Sequence, residues 1–322
     1  MSESNIKYRQ AARTLASLVG EACQLDDVPK AVLQFIDQVL ENRRPVGVIF
    51  YGSTLRTKDI TGLLDFYIIV DQLSDWPQSL PARMANALLP PNVHYYEKLC
   101  CGQVLRAKVA VLTLAQLEKA TCFLSYDTTM WARFCQPVKL VWTRGKYEEK
   151  AIIRCLFRAM GTAGQWAAML GPAEGKSKDY WQNLFANTYG AELRVEGKNR
   201  PSTIMEGREN YYTQLLNSVW NLSLIRFTEK GNIFVPEIDP KRRFELRQKW
   251  RFRKKVGRPL NIIRLIKAAF TFEGGADYLA WKIKRHSGIH VNISPFARRY
   301  PLLCAPWILL KLYRQGAFKR SI

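Results

Sequence analysis

The sequence predicts an α/β domain on a small sheet, a mainly helical region after it, and a basic, aromatic-rich C-terminal segment. Three observations lead there. Short runs of Val, Ile, Leu, Phe and Tyr alternate with short helical stretches between residues 46 and 145. Helical apolar spacing then fills 147–170, and more helix follows to about 240. Finally, residues 241–322 hold 21 Lys/Arg against Glu245, Glu273 and Asp277, a surplus of 18. A chain of 322 residues accommodates about two domains plus an appendage. The expected divisions are 1–145, 146–240 and 241–322.

Residues 1–45 read mainly as helix, with Ala12, Leu15, Leu18 and Val19 on one face. VGVIFY (46–51), LLDFYIIVD (63–71), QVLRAKVAVLTL (103–114) and PVKLVW (137–142) read as strands, and LAQLEKAT (114–121) as a short helix. YEEKAIIRCLFRAMGTAGQWAAML (147–170) is a helix that GPAEGKSKD (171–179) ends. GPAEGKS imitates a phosphate-binding P-loop. However, only three residues separate its glycines, and a helix stands before it where a P-loop requires a strand. A helix-terminating turn is the better reading.

Composition narrows the function. Hydrophobic content is 48%, enough for proper cores, and the net charge is +22 with a pI of about 9.8. Such an excess calls for an anionic partner: nucleic acid, nucleotide or an acidic membrane surface. Aromatics interleave with the basic residues of 241–322, which suits a lipid interface and also stacked bases. The seven cysteines form no CxxC pair and mostly sit in apolar runs, so buried thiols are expected rather than a disulfide scaffold or zinc site. No apolar run reaches the roughly 18–20 residues that span a bilayer. YPLLCAPWILLKLY (300–313) is broken by Pro301 and Pro306. With no export signal and no Arg/Ser-rich, acid-poor leader, the expected placement is cytoplasmic, peripheral on the inner face of the cell membrane.

The stretch YGSTLRTKDITGLLDFYIIVD (51–71) carries the chemistry. A carboxylate in a Val/Ile/Phe strand is costly unless paired or bound to a cation. Small residues at Gly52-Ser53 let a triphosphate approach the backbone. A carboxylate on the adjacent strand, Asp65, would hold Mg²⁺, which binds through few protein ligands plus phosphates. Nucleotidyltransferase folds related to DNA polymerase β place Gly-Ser after a strand and an Asp-x-Asp or Asp-x-Glu about a dozen residues on. Here the first acid fits, and Tyr67 stands where the second would be. Asp71 shares a face with Asp65 by parity. Six strand residues at about 3.3 Å each put them about 20 Å apart, so Asp71 reads as structural.

Beyond this motif, the chain resembles the mitochondrial translocator-maintenance family of phosphatidate cytidylyltransferases. The matching residues are Tyr51-Gly52-Ser53, Leu64-Asp65-Phe66, Val70-Asp71, Trp76, His94-Tyr95, Lys108, Arg133, Pro137-Val138-Lys139, Tyr189-Gly190 and Glu192-Leu193-Arg194. The match covers most of 46–215. LCCGQVLR stands where the family carries a glycine-tyrosine segment before Lys108. The resemblance implies a polymerase β-like nucleotidyltransferase domain and an activity: CTP plus phosphatidate gives CDP-diacylglycerol and pyrophosphate, with Mg²⁺ as cofactor. It also implies roles. Asp65 is the metal ligand, and Gly52 and Ser53 line the triphosphate. Lys108 and Arg133 neutralise phosphate charge, and His94 and Tyr95 contact the nucleotide or lipid phosphate. Glu192 is a second metal ligand or an orienting acid, and Arg194 is its partner or a phosphate clamp.

Two other readings share these features. One is an RNA nucleotidyltransferase using the same Gly-Ser/Asp core, with the missing second acid against it. The other is a non-catalytic nucleic-acid-binding protein of the same fold.

Overall fold

The computed structural model describes residues 3–191, 204–223, 225–272 and 274–287, with Ser294 and Phe296. The chain opens with α1 (Glu3–Gly20) and α2 (Lys30–Leu40), then β1 (Gly47–Tyr51), a one-turn helix α3 (Ser53–Thr57) and β2 (Leu63–Val70). Next come α4 (Leu80–Leu88), β3 (Asn92–Cys100), β4 (Gln103–Thr113), α5 (Leu114–Ala120), α6 (Thr129–Phe134) and β5 (Lys139–Thr143). These five strands form one mixed sheet in the order β3-β4-β2-β1-β5, with β2 and β4 parallel and the other neighbours antiparallel.

β1 and β2 read as unbroken apolar runs because helices cover both faces of the sheet. On one face, α2 presents Val32, Phe35, Ile36, Val39 and Leu40 at helical spacing to Phe50, Leu64, Phe66, Ile68 and Val109. On the other, Ile49, Tyr67, Ile69 and Leu112 meet Ile152, Leu156, Ala159 and Ala163 of α7 (Lys146–Leu170). That second core runs on without a break across residue 145. It takes in α8 (Ser177–Ala191), whose Trp181 and Leu184 are buried, and α9 (Glu209–Leu222), whose Leu215 and Trp220 are buried.

β3 is a strand that apolar runs do not reveal, because Glu97 and Lys98 interrupt it. It is fixed by its hairpin to β4. Cys101 (φ 49°) and Gly102 (φ 78°) are both left-handed, the backbone of a two-residue turn whose twist matches the strands it joins. The helical region also holds a small sheet, β6 (Gly175–Lys176), β7 (Phe227–Lys230) and β8 (Ile233–Pro236), in the order β6-β8-β7. Four-residue strands lie below what periodicity can resolve. GPAEGKS is the expected turn after α7: Gly171 follows the helix, with its N–H on Ala167 O.

The basic segment begins as α10 (Pro240–Thr271), capped by the Asp239 carboxylate on Arg242 N–H, and continues into α11 (Gly275–Ser287). Five of its cations turn toward the body. Arg243 donates to the carbonyls of Ala168, Gly171 and Pro172, and Arg247 to those of Met169 and Gly171, satisfying the C-terminal end of α7. Arg253 donates to Phe123 O and lies 4.3 Å over the Trp166 ring. Arg264 pairs with Asp127, and Lys267 donates to the carbonyls of Leu89 and Pro91. The first part of 241–322 is thus a strap bound to the body. The remainder of that expectation, including the 300–313 tail, lies outside the described residues. Among the described residues, no helix is long and apolar enough to cross a membrane.

Candidate active site

Sheet register brings the key residues into one row. Tyr51 on β1 stands opposite Asp65 on β2, Asp65 beside Lys108 on β4, and Lys108 opposite Tyr95 on β3. Residues aligned across strands project from the same face. Further along that face, Tyr67 and Ala110 are buried under the helices, whereas Asp65 and Lys108 are only half-buried. The row therefore lies where the core on this face ends and solvent begins.

Gly52 sets the approach to Asp65. Its φ is +98°, a conformation side chains rarely take, and a Cβ built there would stand 2.7 Å from Asp65 Oδ2. Glycine is required on both counts. The carboxylate thereby packs against the Gly52 backbone at the end of β1, with the exposed Ser53 next in the chain.

Arg133 flanks the β1–β2 side. Its Nη1 donates to the Tyr67 hydroxyl, and its guanidinium lies 5.8 Å from the Tyr51 ring. The Tyr51 and Tyr67 rings are 5.0 Å apart. Burial, then the Tyr67 phenol, push the Tyr51 phenol well above its usual range. The Arg133 charge pulls it down, and Asp65 pushes it up again. Tyr51 is therefore a neutral phenol at physiological pH and no candidate base.

Helix α11 covers the β3–β4 side. The Lys108 ammonium sits 4.1 Å over the Tyr278 ring, and that ring packs 5.7 Å from Tyr95. Tyr95 donates to Glu97, which also pairs with Arg106; burial first, and Glu97 next, raise the Tyr95 phenol. Arg106 and Arg285 lie 5.8 and 5.4 Å from the Trp281 ring. Arg285 reaches to within 3.8 Å of where a Gly62 Cβ would stand, beside the loop that Asp59 folds by accepting from Thr61.

Of the sequence-predicted residues, Gly52, Ser53, Asp65, Lys108, Tyr95 and Arg133 come together here. His94 does not. It neighbours Tyr95, so strand alternation turns it to the other face, where it is 1% exposed and stacks with Tyr96. A His-Tyr pair on one strand turns its two side chains to opposite faces, so His94 lies in the α2-side layer and not in the row with Tyr95. Trp76 is buried in that layer too. Asp71 is the structural residue that strand length implies, exposed and paired with Arg144 at 2.6 Å. Lys139 of the Pro-Val-Lys match ties Asp27 and the carbonyls of Glu21 and Gln24. Glu192 and Arg194 lie outside the described residues.

Tyr278, Trp281 and Arg285 escape sequence reasoning. Interleaved rings and charges mark their segment, but nothing in it says which ring lands on Lys108.

The described residues hold no group of three or more His, Cys, Asp or Glu that could bind a metal ion. A carboxylate at a glycine cradle does fit Mg²⁺ carried in on phosphates, which needs only one or two protein ligands. Asp65 would hold it. With Lys108 and Arg133 on either side, the row can seat and neutralise a polyphosphate. No protein-family model matches the chain, and no curated protein matches it, so the resemblance rests on the residues quoted for it.

Proposed function

We propose that this row is the active site of a nucleotidyltransferase that moves CMP from CTP to phosphatidate, giving CDP-diacylglycerol and pyrophosphate. The observation that carries the transferase reading is the glycine cradle against Asp65, with Lys108 in register beside it. The choice of CTP and phosphatidate comes from the family resemblance.

The chemistry asks little of the protein beyond position and charge. A phosphatidate oxygen, already anionic at neutral pH, attacks the α-phosphorus of CTP, and the bond to pyrophosphate breaks. No general base is needed, which agrees with a row whose phenols stay neutral. Gly52 and Ser53 admit the triphosphate at the end of β1. Lys108 and Arg133 neutralise charge on the transferring and leaving groups, and Tyr95 walls the β3 side. Magnesium, when bound, supplies further charge neutralisation at Asp65.

Transfer to an RNA hydroxyl is the weaker reading. Its second acid belongs two residues after Asp65, and there the Tyr67 hydroxyl accepts from Arg133.

A bilayer substrate also suits α10. Its Arg264 and Lys267 turn inward, while Ile262, Ile263, Ile266 and Phe270 turn outward at 48–75% exposure. Such an inverted amphipathic helix, with a basic chain around it, is built to rest on an anionic surface. We place the protein as a peripheral enzyme on the cytoplasmic leaflet.

Purified protein incubated with radiolabelled CTP, phosphatidate vesicles and Mg²⁺ should release labelled CDP-diacylglycerol. Label transferred to RNA instead, or to neither acceptor with any nucleotide, would overturn the assignment.

A further inference from the structure

Lys108 shares its row with a carboxylate. Asp65 is its register neighbour on the adjacent strand, projecting from the same face. Opposite charges so placed attract, and lysine has a long flexible stem with which to answer. A closed pair there would consume both the metal ligand and the phosphate cation. The structure offers a competing seat: the ammonium lies 4.1 Å over the centroid of Tyr278. A ring face attracts a cation through its quadrupole without taking its charge.

That seat is rigid. The Tyr278 ring packs against Tyr95 at 5.7 Å, Phe272 at 5.7 Å and Trp281 at 6.2 Å. The turn that launches α11 is pinned to the same strand position. Gly274 has φ +73°, and a Cβ there would stand 2.8 Å from Tyr95 O. Only glycine lets the turn approach this closely. Tyr95 is in turn the register partner of Lys108. The ring is therefore indexed to the lysine through its neighbouring strand.

We propose that Tyr278 is a positioning residue that seats Lys108, keeping the ammonium available for a nucleotide triphosphate. The reading rests on the proposed transferase activity, and its test separates the two. In the full-length protein, Tyr278→Phe keeps the ring face and Tyr278→Leu removes it. Tyr278→Met supplies a second ring-free variant should Leu fail to fold. Acetic anhydride labelling followed by mass spectrometry reads the seat directly. Lys108 should acylate several-fold more slowly in the ring-free variant, where pairing with Asp65 holds the ammonium charged, and at the wild-type rate in Tyr278→Phe. The KM for CTP should rise about fivefold in the ring-free variant with kcat within twofold, and return to wild type in Tyr278→Phe. In a Lys108→Met background, removing the ring should add nothing. Equal labelling of the Phe and ring-free variants overturns the inference, as does a KM effect that persists without Lys108. A labelling contrast in a protein that transfers nothing keeps the seat and rejects the transferase.

Discussion

The two faces of the five-stranded sheet are built from the same strands, one residue apart, and are used differently. Toward α2, the successive β2 positions Leu64, Phe66, Ile68 and Val70 are all buried among apolar neighbours. Toward α6 and α7, Tyr67 and Ile69 are equally buried, but Asp65 stands at the rim with Lys108 beside it. One face is closed from end to end; the other stops short and leaves its last row to charged residues. Strand alternation lets one segment serve as core and as site, because a one-residue step changes the face and nothing else.

Removing Asp65's charge should break the open face alone. Asp65→Asn keeps the shape, so the protein should fold and melt as wild type. Transfer should fall at least roughly 10³-fold, about 4 kcal/mol in barrier. Normal turnover in a folded Asp65→Asn protein rejects the site.

Its neighbour tests the closed face. Phe66→Ala leaves a cavity between Phe35 and Phe50, whose rings lie 5.9 and 5.0 Å from it. Stability should drop by about 3–4 kcal/mol, measured by denaturant unfolding, while turnover per folded molecule stays near wild type. A selective loss of turnover would show that the two faces are not independent.

Gly52→Ala should combine both effects at smaller size. The positive-φ extended backbone at Gly52, which essentially only glycine adopts, costs about 1–3 kcal/mol. Displacing the carboxylate should slow transfer about 10²-fold, since such a rate follows from roughly 1 Å of misplacement. Kinetics and melts on one preparation check both numbers. An alanine variant with wild-type kinetics would remove the cradle from the mechanism.

The smallest effect concerns the seam that holds α10 to the open-face side. Burial raises the Asp127 carboxyl, but the Arg264 charge and hydrogen bonds from Arg264 and Thr129 outweigh it and leave it lowered. Its stabilisation is then fully present above the unfolded value of about 3.9 and disappears as pH falls through the lower folded value. Melting temperature should therefore decline on acidification below about pH 4, and less steeply in Asp127→Asn. Parallel declines would mean the seam contributes no stability.

Local signals in the sequence carried much of this. Apolar runs located β1, β2, β4 and β5 because β1, most of β2, the second half of β4 and Leu140-Val141 of β5 are buried on both faces. The Gly-Ser…Asp spacing located Gly52 and Asp65 because the constraint, a close backbone approach to a carboxylate, is itself local. β3 was not legible, because its hairpin is fixed by backbone angles at Cys101-Gly102 and its exposed half carries charge. The small sheet of β6, β7 and β8 was too short to show a period.

The sequence by itself determined an α/β core, a carboxylate beside a glycine turn, and a cationic C-terminal segment, since composition and spacing suffice for each. Only the tertiary structure decided that Lys108 and Tyr95 join Asp65 in one row, because strand register is not written in any single strand. It alone turned His94 away, since pairing fixes which parity faces the site. It also turned Arg243, Arg247, Arg253, Arg264 and Lys267 of α10 onto the body and its isoleucines outward. Free carbonyls on the body, at the end of α7 and in the loop at 89–91, claimed the cations, and no helical period in α10 records where those carbonyls lie.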